Sequence, residues 1–131
     1  MVCLDSTFLI DLLRGKNEAA KFLEKYESIN EDIFVSSVSV MELTKGAYLS
    51  NNPVQEESKI IGLTSSFFEL PFNNECAIIG GKLDAELSKK GEIIDSEDIM
   101  IAATALQNNQ SIVTRNKKHF EKISNLKIEI Y

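Results

Sequence analysis

Apolar positions along this chain fall alternately into short continuous runs and into helical stripes. Val2-Cys3-Leu4 is a run of strand length ended by Asp5, after which Phe8, Leu9, Leu12 and Leu13 recur at helical spacing until Gly15. A second stripe, Ala19, Phe22, Leu23 and Tyr26, predicts a helix over Glu18–Glu27, with Lys21 and Lys25 on its outer side. Ile33-Phe34-Val35 is again strand-like, and Ser36, Ser37 and Ser39 offer caps to a helix carrying Val40, Leu43, Ala47 and Tyr48. Pro53 suits the first position of the next helix, whose apolar residues Ile60, Ile61 and Leu63, with Phe67 and Phe68, are expected mostly in the core.

Phe67 to Leu70 predicts a short strand closed by Pro71, followed by a long helix from about Asn74 to Lys90 with Gly91 placed to end it. Asp95 or Ser96 then caps Ile99-Met100-Ile101-Ala102-Ala103-Thr104-Ala105-Leu106, a helix apolar all round and so expected to be buried on both sides. Ser111 to Thr114 is a strand, and Lys127 to Tyr131 alternates like an edge strand. Strands alternating with helices, with no linker or repeat, predict one α/β domain over residues 1–131 built on a mostly parallel sheet of about five strands. In such sheets, ligands bind outside the carboxyl edge, where each strand hands over to its helix.

Composition narrows the function. The chain has 131 residues, 44% of them hydrophobic, which is enough for one sizeable core. Twenty acidic against fourteen basic residues give a net charge of -6, which argues against passive, charge-driven adhesion to nucleic acid. Cys3 and Cys76 sit among apolar neighbours and are expected as buried thiols. No apolar run reaches the ~20 residues of a membrane span, and no secretory leader is visible, so a soluble, cytoplasmic chain is expected. Gly80-Gly81-Lys82 lacks the spacing and the Ser or Thr of a phosphate loop, and close helix packing is the better expectation for these glycines.

Four polar residues fall at the predicted carboxyl edge: Asp5, Glu42, Asp98 and Asn116. Three carboxylates converging on one cleft repel one another unless a cation neutralises them, and oxygen ligands without a Cys or His pair favour Mg2+, or Mn2+, over zinc. Each residue also has a simpler use. Asp5 can cap the first helix with Ser6 and Thr7, Glu42 can pair with Lys45, Asp98 can favour a helix N-terminus, and Asn116 can serve a turn. The spacing alone leaves these alternatives open.

The motifs themselves resemble those of PIN-domain proteins. Val2-Cys3-Leu4-Asp5-Ser6-Thr7 is similar to that family's opening strand and Asp, and Ser37 to Leu43 around Glu42 is similar to its second acidic motif. Asp98-Ile99-Met100-Ile101-Ala102-Ala103 resembles the third, and Ile112-Val113-Thr114-Arg115-Asn116 with Lys117-Lys118-His119-Phe120 the fourth. Size and the fourth motif resemble most the VapC group, the toxins of toxin–antitoxin pairs. The resemblance implies a PIN-like α/β/α sandwich and a metal-dependent endoribonuclease, with Asp5, Glu42 and Asp98 holding Mg2+ and Asn116 in the fourth position. Many PIN nucleases carry Asp there, and an amide weakens the case for a second tightly held ion.

On this reading Ser6, Thr7 and Thr114 orient the carboxylates, and His119, a lone His before Phe120, is structural. Arg14, Lys45, Arg115 and Lys117 are candidate contacts to RNA phosphates, with Lys16 and Lys118 nearby. The resemblance further implies an RNA substrate, a cognate antitoxin partner, a homodimer, and DNA contact only through the antitoxin, with some of Ile60, Ile61, Leu63, Phe67 and Phe68 forming a homodimer face or a groove for an antitoxin helix. Other readings remain: a catalytically silent PIN-like module that binds RNA or protein, and an RNA-processing nuclease without a toxin role. An aspartyl phosphatase fits less well, because Thr7 stands where its second Asp belongs.

Overall fold

The computed structural model describes residues 1–131. Five strands, β1 (Val2–Leu4), β2 (Ile33–Ser36), β3 (Phe68–Leu70), β4 (Ser111–Thr114) and β5 (Ile128–Ile130), form one sheet in the order β3-β2-β1-β4-β5. Every neighbouring pair is parallel. Seven helices connect them: α1 (Ser6–Leu13), α2 (Asn17–Ser28), α3 (Ser37–Tyr48), α4 (Pro53–Thr64), α5 (Asn74–Lys89), α6 (Ser96–Gln107) and α7 (Lys117–Phe120). The expected α/β architecture is therefore present, with its sheet wholly parallel. No helix is long and apolar enough to cross a membrane.

Alternation along the central strand builds a core on each face. Val2 and Leu4 face a cluster with Phe8, Leu9, Tyr26, Val35 and Ile60, while Cys3 lies on the other side with Ala105 and Leu70. A further cluster joins α5, α6 and β4 through Leu83, Leu87, Ile101, Ala102, Ile112 and Phe120. The all-round burial of Ile101 to Ala105 follows from α6 lying between sheet and helices, as its sequence predicts. Both thiols are free and buried, and burial pushes that of Cys3 up to about 12.

Local signals placed most boundaries. Gly15 and Gly91 take positive φ values of 70° and 69° just beyond α1 and α5. Ser36 caps α3 by accepting from the Val38 amide at 3.1 Å, and Pro53 opens α4.

Three expectations need correction. Ile61 and Phe68 are 59% and 61% exposed, because α4 turns only Ile60 fully inward and β3 is an edge strand. A Cβ on Gly80 would stand 3.6 Å from the Ala103 Cβ, an ordinary contact, and Gly81 faces open space, so close packing does not require either glycine. Asn116 begins a one-turn helix, α7, that the periodicity did not show, since one turn contains no repeat of its own.

Candidate active site at the carboxyl edge of the sheet

The strand order locates the site. From β1 the chain moves first to β2 and β3 on one side and later to β4 and β5 on the other, so the crevice between diverging connections opens at the end of β1. Asp5 is the residue at that end. Glu42 follows β2 on α3, Asn116 follows β4, and Asp98 lies in the first turn of α6, whose N-terminus reaches the same edge before the chain returns through β4.

Asp5 is 2% exposed and accepts from three donors, none of them cationic. Oδ1 takes the Phe8 amide at 2.9 Å and the Thr7 hydroxyl at 2.7 Å, and Oδ2 takes the Thr114 hydroxyl. The Phe8 bond is an N-cap, so the capping use and the acidic-site use of Asp5 coexist. Thr114 in turn accepts from the Asn116 amide at 2.9 Å. Glu42, half-buried, accepts from the Ser6 hydroxyl at 2.7 Å rather than pairing with Lys45. Ser6, Thr7 and Thr114 thus each donate to a carboxylate, Ser6 to Glu42 and both threonines to Asp5.

Electrostatics distinguishes these acids from ordinary surface acids. Burial raises the Asp5 carboxyl above the usual carboxylate range against the pull of its three donors, and the charge of Asp98 adds to the rise. Burial likewise raises Glu42, opposed by Ser6 and reinforced by Asp98, Glu97 and Asp5. Asp98 is raised by burial and by Asp95 and Glu97, while His119 draws it down. No Lys or Arg pairs with any of the three.

Their donor chemistry, oxygen only and net negative, fits a hard divalent cation that keeps several waters. The side chains are not drawn into a closed cage, since no three His, Cys, Asp or Glu side chains meet closely enough to enclose an ion. The acids sense one another's charge across an open cleft.

His119 departs from expectation. Its Nδ1 lies 3.2 Å from the Asp98 Oδ2, because α7 turns the ring back toward the cleft, so it touches the site instead of serving only the core. The sequence contained no spacing signal for this contact; Phe120, fully buried one residue on, fixes the helix that makes it. Asp98 forms no capping bond, nor does Asp95 at the cap position. The side chain of Asn116 caps nothing, although its position opens α7.

Arg115 Nη1 donates to both oxygens of Asp11, to Oδ1 at 3.1 Å and to Oδ2 at 2.9 Å. That side chain is committed, unlike Arg14, Lys45 and Lys117, which are exposed and unpaired. Arg14, Ser6, Glu42, Ile10, Leu43 and Ile60 contribute to a groove of about 370 Å³ between α1, α3 and α4 that runs up to the acidic edge. A larger depression of about 650 Å³ along Asn51 to Lys59 contains no carboxylate and lies away from these acids.

A parallel α/β sandwich with acids at the end of its central strand, and on helices beside it, is the arrangement of a PIN domain, and the PIN domain family matches residues 2–126. The chain belongs to that family, as a VapC-type member. It is 36% identical over 100 residues to Ribonuclease VapC2 of Rickettsia felis, covering 76% of this chain and 75% of that protein. It is 32% identical to the tRNA(fMet)-specific endonuclease VapC of Salmonella typhimurium, over 96% and 94% of the two chains. The crystal structure of Rickettsia felis VapBC2 bound to a promoter DNA fragment superposes with a TM-score of 0.93 at 30% identity, covering 100% of this chain and 99% of that one.

Proposed function

We propose that this protein is a Mg2+-dependent endoribonuclease acting as the toxin of a VapBC-type pair. The observation that carries the metal assignment is the set of Asp5, Glu42 and Asp98 at one sheet edge, none paired with a Lys or Arg, each raised by burial and by neighbouring carboxylates. Ribonuclease relatives and toxin–antitoxin structures support the activity and an antitoxin partner. A bound Mg2+ or Mn2+ would lower the pKa of a coordinated water and offset charge on the scissile phosphate.

The chain's own residues have separable roles in that reaction. Asp5 and Asp98 would hold the ion, with Thr7 and Thr114 fixing the two oxygens of Asp5. Glu42, held by Ser6, would complete the acidic pocket and orient the attacking water. Arg14, Lys45 and Lys117 draw in the RNA backbone, a local positive rim on an acidic protein. Exposed Ile61 and Phe68 supply apolar contacts for a homodimer or for the antitoxin, and the working compartment is the cytoplasm.

Purified protein is expected to cleave total RNA, tRNA included, with Mg2+ and to stop on EDTA, with the metal also raising the melting temperature. Cleavage that persists in EDTA would refute the metal role, and normal cleavage by an Asp5→Ala plus Asp98→Ala variant would refute the site. Asn116→Asp is expected to preserve or raise kcat, because a carboxylate adds charge attraction where the amide offers only a dipole. Loss of activity in this variant would mean that the amide itself is required.

A further inference from the structure

Asp11 is 3% exposed and lies on α1, outside the acidic edge. Its carboxylate is held from two distant parts of the chain: Arg115 grips both oxygens, and the Tyr131 hydroxyl donates to Oδ2 at 2.7 Å. The Tyr131 ring is itself fixed, edge-on to Phe8 with centroids 4.6 Å apart and against Phe22 at 6.2 Å. The carboxylate is buried but the guanidinium is half exposed, and an ion pair open to solvent on one side is weak evidence of stabilisation. Its location suggests a different use.

Arg115 stands between Thr114, which donates to Asp5, and Asn116, which opens the helix bearing His119. The Arg115 amide donates to Thr7 Oγ1 at 3.3 Å, and that same hydroxyl donates to Asp5 at 2.7 Å. Gripping the guanidinium therefore sets the backbone at the one junction that connects Asp5, Thr7, Thr114 and α7. We propose that Asp11, Arg115 and Tyr131 form a clamp that positions the β4–α7 junction for hydrolysis, so that Asp11 and Tyr131 are positioning residues for a reaction they do not touch; this rests on the nuclease reading above.

The test uses the full chain at saturating Mg2+ with a short labelled RNA that the wild type cuts, alongside amide hydrogen exchange without RNA. Asp11→Asn keeps the shape and removes the charge. It is expected to lower kcat by about 10- to 100-fold, as loss of an outer partner of a metal site does, while KM stays within about twofold. Exchange of the Arg115 and Asn116 amides is expected to quicken while that of β1 is unchanged. Arg115→Gln is expected to do the same, and the double variant to be no worse than either single, because both remove one interaction.

Tyr131→Phe, which deletes one hydroxyl, is expected to give a smaller change in the same direction and serves if Asp11→Asn does not fold. Wild-type kcat together with wild-type exchange at Arg115 and Asn116 in the folded variants would overturn the clamp, as would fully additive losses in the double variant. If the wild type cuts no RNA, the nuclease reading fails, and the exchange measurement still decides whether the clamp orders the junction.

Discussion

Asp98→Asn is expected to abolish RNA cleavage while making the metal-free protein more stable. The two effects have one cause. Asp98 faces the cleft with its carboxyl raised by burial and by Asp95 and Glu97, and its charge in turn raises Asp5 and Glu42. A carboxylate whose folded pKa lies above its unfolded value contributes stability while protonated, below the unfolded pKa, and loses that contribution as pH rises through the folded value. At neutral pH the charge is thus a burden on the fold.

An amide removes that burden and the ligand together. The expected loss of cleavage is on the order of a thousandfold or more, about 4 kcal/mol of barrier. Melting curves from acidic to neutral pH check the other half: the wild type should lose stability across the window above the ordinary carboxylate value, and the variant should lose less. A variant less stable than the wild type at neutral pH would mean that Asp98 acts mainly through the α6 N-terminus, where a negative charge is favourable.

Phe120→Ala is expected to have the largest effect on stability and to reach the site through packing. The ring is fully buried in the cluster with Leu83, Ile101 and Ile112, and truncating such a side chain costs about 3–5 kcal/mol against a total of about 5–15 kcal/mol. For a domain of this size that is a fall of about 10–20 °C in melting temperature.

The helix it anchors has a single turn, closed by the His119 amide on the Asn116 carbonyl at 3.1 Å and the Glu121 amide on Lys117 at 2.8 Å. A turn that short does not hold itself, so the ring holds His119 against Asp98. Activity per folded molecule, measured well below the melting temperature, should fall as well. Unchanged activity in the folded fraction would show that α7 keeps its place without Phe120.

The run Val2 to Leu4 before Asp5, the stripe of α1 and the apolar length of α6 determined strand, cap and buried helix, because each is a local periodicity backed by a local stop such as Gly15 or Gly91. They also led to the expectation that Asp5, Glu42 and Asp98 share an edge, since parallel connections of one hand return every strand to the same side, while leaving the use of each acid open. Residue chemistry then suggested the hydroxyls Ser6, Thr7 and Thr114, which do bond Glu42 and Asp5.

Only the tertiary structure decided which charged groups meet. Asp11 and Arg115 are 104 positions apart, and Asp11 and Tyr131 are 120 apart. Nothing in their neighbours marks them as partners. His119 was turned toward Asp98 by a one-turn helix too short to leave a pattern, and Ile61 and Phe68 were left outside by the orientation of α4 and the edge position of β3. Periodicity is a property of successive residues and survives in the sequence. The pairing of side chains depends on how whole elements are set against one another, with the free energy of buried charge selecting the partner.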